Sequence, residues 1–415
     1  NLTRIQEQLQ KSLLIFIMLK KLSNTVINAD VSPTVGIADI VKQMRERGEE
    51  VFDFSAGRAF ENTPKYITDG AVDAMYRGET HQTMARGTTQ FRQACANKLS
   101  RENDIIADPG SEIIATMGTK QGLTISLLAL LNAGDEVLVE DPCFVSYHQL
   151  ISFFAGVSVS VPMREENQFR WDKKELEAKI TKKTKAIIFN SPHNPTGTVH
   201  NIKDLELIAQ IAIENNLYVI TDEIYERTVW KGHKHVCLAT LPGMKERTIT
   251  LMGLTKSFSM GGWRIGFAYA SKEIIDQFEK LQQHLITSAN SFVQAGATIA
   301  FGEEPKDVVL NYWFDWEEKC RFACETLNKI EGLSCLIPEG GFYAWLNISK
   351  TGLSSEIFAQ RLLKEERVAL VPGHSFGSMG KNFVRITCVK SSEETEEGIK
   401  RIKRFVEKIF KADLS

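Results

Sequence analysis

Short apolar runs alternate with amphipathic stretches along most of this chain, and that alternation sets the expected architecture. Between about residues 60 and 310, runs at 113–116, 136–140, 157–161, 186–190, 218–221, 248–252 and 266–270 are too short for helices and are bounded by turn residues. Segments such as 119–131 and 204–215 between them carry the period of a helix with one buried face. Strands that cross over through helices build a mostly parallel sheet, so the expectation is an α/β layer fold. After about residue 310 the pattern changes: a long charged helix at 311–329, short apolar runs at 333–336 and 341–347, a helix at 354–366, runs at 368–371 and 382–389, and a terminal helix rich in Glu and Lys. This reads as a smaller α+β domain covering 311–415, beside a large domain covering 59–310. There is no internal repeat and no low-complexity linker.

Composition narrows the function classes. The 415 residues include 43% hydrophobic positions, enough for a substantial core, and 50 basic residues against 52 acidic ones. Such a balance gives no electrostatic footprint for nucleic acid or a membrane surface as partner. The seven cysteines are scattered with no Cys-x-x-Cys pair, which fits a reducing, cytoplasmic setting and leads to no expected metal site. The apolar run at 12–19 is too short to span a bilayer. Because Met18 resembles a natural start, residues 1–17 read equally as an upstream extension or as an N-terminal docking helix.

The chemistry-bearing segments sit at the ends of the apolar runs. Lys256 lies in Thr255-Lys256-Ser257-Phe258-Ser259-Met260-Gly261-Gly262-Trp263-Arg264, a glycine-rich loop after a strand-like run. An amine of this kind captures carbonyl groups, and Arg264 at fixed distance anchors a phosphate, a pairing that points to pyridoxal phosphate (PLP). The run 186–190 leads into Ser191-Pro192-His193-Asn194-Pro195-Thr196-Gly197, where two prolines stiffen the backbone around Asn194; His193 reads as a neighbour that a solvated turn would suit equally well. Asp222 and Tyr225 stand three apart after the next run, spaced to meet one ligand, and an Asp facing a pyridine nitrogen keeps it protonated. Glu223 and Glu226 read as acidic residues at a helix start. Gly118, Thr119 and Lys120 form a strand-to-helix turn whose free amides suit a phosphate. Phe144 offers an aromatic face. Arg385 is a lone charge inside an apolar run, and its planar fork suits a substrate α-carboxylate.

Taken in this order and spacing, the segments closely resemble the PLP-dependent class I aminotransferases of fold type I, nearest to the bacterial aspartate/prephenate branch. The resemblance covers the chain from about Met18 onward. It implies that Lys256 is the lysine linked to the cofactor, Asp222 the partner of the pyridine nitrogen, and Asn194 and Tyr225 the ligands of the ring oxygen. It further implies Arg264, Gly118, Thr119, Lys120 and Thr255 around the phosphate, Phe144 stacked on the ring, and Arg385 and Gly57 on the substrate carboxylate. A homodimer is implied too, with residues 18–58 joining the small domain. Three positions depart from the family pattern: Arg58 follows Gly57 where Glu is usual, Gln82 stands where many relatives have Tyr, and Gly253 where many have Ser.

The expected activity is transfer of an amino group from an L-amino acid to a 2-oxo acid, with Lys256 as both tether and acid–base group. Lys120 matches the lysine that holds a distal carboxylate in the aspartate/prephenate branch. The lead is therefore aspartate or another acidic donor, with 2-oxoglutarate as acceptor. A PLP-dependent carbon–sulfur β-lyase is the alternative on the same fold. A PLP-sensing transcription regulator fits less well, since there is neither room before Gly57 for a DNA-binding module nor a basic patch.

Overall fold

The apolar runs of the middle of the chain become one seven-stranded sheet. The computed structural model describes residues 22–27, 29–302 and 307–412, so the 1–17 segment lies outside the described residues. Along the chain the strands are β1 (Phe52–Asp53), β2 (Ile113–Thr116), β3 (Glu136–Asp141), β4 (Val157–Pro162), β5 (Thr184–Asn190), β6 (Tyr218–Asp222), β7 (Thr248–Gly253), β8 (Gly266–Tyr269), β9 (Tyr343–Asn347), β10 (Val368–Ala369), β11 (Val371–Pro372) and β12 (Phe383–Thr387). The large sheet has the order β2-β8-β7-β6-β5-β3-β4. Strands β4, β3, β5, β6 and β7 pair in parallel, whereas β8 runs antiparallel to both β7 and β2. The reversal has a local cause. Only a loop with a short helical turn at Gly261–Trp263 separates β7 from β8, so no crossover helix carries the chain back for a parallel strand.

These strands read as continuous apolar runs because both faces of the sheet are covered. Val139, Ile188, Ile220 and Leu251 pack in one cluster with Leu123 and Leu127 of the helix Thr119–Leu130. Their strand neighbours Leu138, Ile187 and Val219 pack in another with Leu205 and Ile208 of the helix Ile202–Glu214. Alternate residues therefore face opposite layers, as the two-residue strand period requires.

The remaining strands form two small sheets. One is the antiparallel order β11-β12-β9; in the other, β1 pairs in parallel with β10 and brings residue 52 against residue 368. A core built on Trp316, Phe342, Phe358 and Phe405 lies with them. Two expectations change here. The run at 333–336 is no strand, only an isolated bridge from Ser334 to Asn347. The run at 368–371 splits into β10 and β11, which belong to different sheets. The chain divides at Ser32: from there on it forms one compact unit, and before it Asn24–Ile27 is a single helical turn with no buried residue.

Glycines tie the sheet to the loops at its edge. A Cβ on Gly266, the first residue of β8, would stand 2.7 Å from the Met252 carbonyl oxygen and 3.3 Å from Thr119 N. Gly36, inside the helix Pro33–Glu46, has nothing within 4 Å of the same position. Gly266→Ala is therefore expected to lower stability by about 1–3 kcal/mol, and Gly36→Ala to raise it by about 0.5–1 kcal/mol; chemical denaturation midpoints check both signs.

Candidate active site

The carboxyl ends of β2, β5, β6 and β7 and the approach to β8 meet at one cavity of about 1000 Å³. Gly57, Thr119, Lys120, Phe144, Asn194, Asp222, Tyr225, Thr255, Lys256, Arg264 and Arg385 all line it. Gly118 stands just behind, its Cβ position 2.6 Å from Arg264 Nη2. Residues spread over more than three hundred positions are thus gathered at one sheet edge, where open α/β sheets hold ligands.

Asp222 is the most constrained of them. Its register partner across β5 is Asn190, whose Nδ2 donates to the Asp222 carbonyl at 2.6 Å and whose Oδ1 accepts from Asn194 N–H at 2.8 Å. One amide side chain therefore fixes two site residues to each other. The Asp222 carboxylate is buried and accepts from the Tyr147 hydroxyl at 2.9 Å. Burial pushes its pKa up to about 6, against the opposing pull of the Tyr147 bond, the Ile224 N–H and the positive charge of Lys256. A cation placed against it would remove that penalty. Tyr225, also buried, shares a 2.8 Å hydrogen bond with the Tyr343 hydroxyl, and the Lys256 ammonium lies 5.7 Å from the Tyr225 ring while donating to the Gly57 carbonyl.

Cations gather at two further points of the cavity. Lys120, Lys256 and Arg264 are close enough that the Lys120 pKa is lowered, first by partial burial and then by repulsion from Arg264 and Lys256. The Lys120 ammonium lies 5.4 Å from the Phe144 ring. Among the described residues Arg264 itself donates to the Gly261 and Met117 carbonyls alone. The helix Thr119–Leu130 starts beside these charges with Gly118 at φ 78° and no side chain capping its first amides. Positive charge plus an uncapped helix start is the composition of a phosphate cradle. Gly118 differs from expectation in one respect: its N–H is taken by the Thr116 carbonyl at 2.8 Å, so the free amides begin at Thr119.

Arg385 is 1% exposed and, among the described residues, pairs with no carboxylate. Its guanidinium donates to Asn194 Oδ1 and to the Ser55 carbonyl, each at 3.0 Å, and lies 4.2 Å from the Tyr343 ring. The Nε of this arginine is buried without a partner. A buried charge without a counter-ion is costly, and an incoming anion repairs it. With Oδ1 given to Arg385, the Asn194 amide keeps Nδ2 as the donor for a ligand.

Some sequence readings change. Glu223 and Glu226 start no helix; they lie in a buried turn, with Glu223 bonded to His235 and Glu226 to the buried Lys98. His193 is buried rather than solvated, and burial lowers its pKa to about 4. Among the departures from the family pattern, Arg58 lines the cavity with its guanidinium 5.8 Å from the Phe60 ring, and Gln82 is exposed and outside the cavity lining. Gly253 is packed so closely that a Cβ there would touch Ile224 Cδ1 at 3.0 Å and Ile265 O at 3.3 Å. Tyr147, Asn190 and Tyr343 join the site through these hydrogen bonds, beyond the residues that the sequence pattern assigns to it. A polar Asn closing an apolar strand was a readable signal for the second; no local pattern marks the other two. The helix Pro33–Glu46 also adds Asp39, Lys42 and Arg45 to the cavity wall.

Comparison with known proteins places this geometry. Residues 49–402 match the family model of aminotransferase class I and II. The chain is 39% identical over 357 residues to an aspartate aminotransferase of Pyrococcus abyssi, covering 86% of this chain and 92% of that one. It is 38% identical to aromatic-amino-acid aminotransferase 2 of Thermococcus litoralis with the same coverage. Among solved structures, the aspartate aminotransferase from Thermus thermophilus with maleate superimposes with a TM-score of 0.89 at 32% identity, covering 93% of this chain and all of that one. No helix of the described residues is long and apolar enough to cross a membrane. A chain matched over this length, with these strand ends converging on one cavity, belongs to the class I and II aminotransferases, the PLP-dependent transferases of fold type I, on their aspartate and aromatic branch.

Proposed function

We propose that this aminotransferase binds PLP in the described cavity and moves the amino group of an acidic L-amino acid, aspartate foremost, to 2-oxoglutarate. The observation that carries the reading is the division of charge: a buried carboxylate, Asp222, and a buried arginine without a counter-anion, Arg385, on the walls of one cavity that also holds Lys256. The residues fit the cofactor, since the pyridine nitrogen suits the strained Asp222 carboxylate and the phosphate suits Arg264 with the start of the helix Thr119–Leu130. Asn194 Nδ2 and the Tyr225 hydroxyl would hold the ring oxygen, Thr255 the phosphate, and Phe144 the ring face. When bound, PLP supplies an aldehyde that links to amines and a ring that draws electrons from the bonds at the substrate Cα.

The chain's own groups supply the rest. Arg385 and Gly57 bind and orient the α-carboxylate, Arg385 by its two-pronged fork. Lys256 would hold and move the Cα proton at its Nζ, and Asp222 would supply the negative charge that holds a protonated pyridine nitrogen. Lys120 offers an ammonium to a distal carboxylate. The aspartate aminotransferases among the relatives support this choice, while the aromatic-amino-acid enzyme among them makes aromatic donors the comparison to measure. Of the 18–58 segment expected to join the small domain, the pairing of β1 with β10 supports the part from 32 to 58 as lying with residues 311–415. The family supports a homodimer, and seven buried, unpaired cysteines support a reducing, cytoplasmic setting.

Three outcomes test this reading. Lys256→Ala should abolish the visible absorption band of the bound cofactor and cut turnover at least about 1,000-fold; a wild-type protein that stays colourless after PLP incubation, or that makes pyruvate and ammonia from cystathionine without an acceptor, overturns it. Lys120→Ala should lower kcat/KM for aspartate by roughly 10- to 100-fold and leave a neutral donor within a few-fold; unchanged aspartate turnover removes the acidic-substrate assignment. For cofactor-free protein, the Asp222 carboxyl pKa of about 6 lies above its unfolded value, so the folded state binds more protons and stability should fall as pH rises from about 4 to 6. Asp222→Asn should flatten that decline and stabilise the cofactor-free protein above pH 6 by up to roughly 2–3 kcal/mol, while cutting turnover in the presence of PLP; thermal unfolding against pH reads both slopes.

A further inference from the structure

Beside the turn that carries Asp222 and Tyr225, three side chains of different chemistry converge outside the active cavity. Glu223 Oε2 lies 2.8 Å from His235 Nε2 and 2.9 Å from Cys237 Sγ, and those two atoms are 3.7 Å apart. The side chains of Glu223 and His235 are 1% and 8% exposed, and Cys237 is 1% exposed. Among the described residues no lysine or arginine pairs with the Glu223 carboxylate; its side-chain contacts are the imidazole and the thiol.

We propose that Glu223, His235 and Cys237 form a binding site for one divalent transition-metal ion, with zinc the ion that best suits a carboxylate–imidazole–thiolate set. Zinc binds oxygen and nitrogen at about 2.0–2.2 Å and sulfur at about 2.3 Å, which places tetrahedral donors roughly 3.3–3.7 Å apart. The nitrogen–sulfur spacing already meets that, and the carboxylate oxygen has only to withdraw by about half an ångström. The ion takes the place of the protons that now join the three groups. Its entry releases the Cys237 thiol proton to solvent and moves the imidazole proton from Nε2 to Nδ1, an atom now buried without a partner. One dipositive ion against one carboxylate and one thiolate leaves the cluster neutral. On the thiolate side a surrounding layer is in place: Asn103 Nδ2 donates to Cys237 Sγ at 3.1 Å and to Glu226 at 2.9 Å, and Glu226 in turn neutralises the buried Lys98. A water or the second Glu223 oxygen completes the four positions. Because Glu223 directly follows Asp222, the ion would clamp the strand end that presents Asp222 to the segment at 235–237.

The holoenzyme, stripped with a chelator and dialysed, is to be titrated with Zn(II) against a competing chelator and separately with Co(II). One tightly held metal per chain, long-wavelength visible bands of tetrahedral cobalt, and a Zn(II)-dependent rise in Tm are expected. Cys237→Ser and His235→Gln, each shown to be folded by circular dichroism and by retained cofactor absorbance, should lose the cobalt bands and at least 10- to 100-fold in zinc affinity. No metal resisting dialysis in the wild type, or the same stoichiometry and cobalt spectrum in both folded variants, overturns the proposal; should one variant fail to fold, the other decides.

Discussion

Burial of the Asp222 carboxylate is the constraint on which the site depends. A carboxylate buried at the end of a central strand raises the energy of its charged form, and the chain answers only in part, with one tyrosine hydroxyl, one backbone amide and the more distant charge of Lys256. The remaining cost is a standing preference for a cation at that spot. Everything around it keeps the carboxylate in place: the parallel pairing with β5, the Asn190 amide that joins the Asp222 carbonyl to the Asn194 backbone, and the covered faces of the sheet.

Charge is sorted by position on the cavity wall. Asp222 stands where β6 ends, Lys120 and Arg264 gather where β2 ends and β8 begins, Arg385 reaches in from β12, and the helix Pro33–Glu46 adds charges of both signs. A zwitterionic, phosphorylated ligand matches such a pattern, whereas an apolar one would leave Arg385 buried without an anion. The two-pronged use of Asn194 links the halves of this arrangement. Its oxygen is held by Arg385, which orients the amide and leaves the nitrogen free toward the proposed ring site. The proposed substrate and cofactor positions are thereby coupled through one side chain.

Much of this was legible in the chain. Asp222 ends a strand while Asn194, Lys256 and Arg264 follow or precede one, and the strand ends could be read from apolar run length and the turn residues after them. The direction of β8 could not, because an antiparallel return and a parallel crossover leave similar four-residue apolar runs. The acidic pair at Glu223 and Glu226 was misread for a related reason: acids after a strand suit a helix start, and only the packed chain shows His235 and Lys98 waiting for them. Tyr147 and Tyr343 carry no local mark, since a buried tyrosine in a helix or strand looks like core until its hydroxyl partner is known.

The sequence by itself determined the layer architecture, the loop that brings Lys256 to the cavity and the chemical types available there, because strand period, turn chemistry and side-chain functionality are local properties. Tertiary structure alone decided which groups share an electrostatic environment. The Asp222 carboxyl is pushed upward, Arg385 is left without a counter-anion and Glu223 meets a thiol and an imidazole only once distant segments exclude water around them, since burial and Coulomb interaction depend on distances in space rather than along the chain.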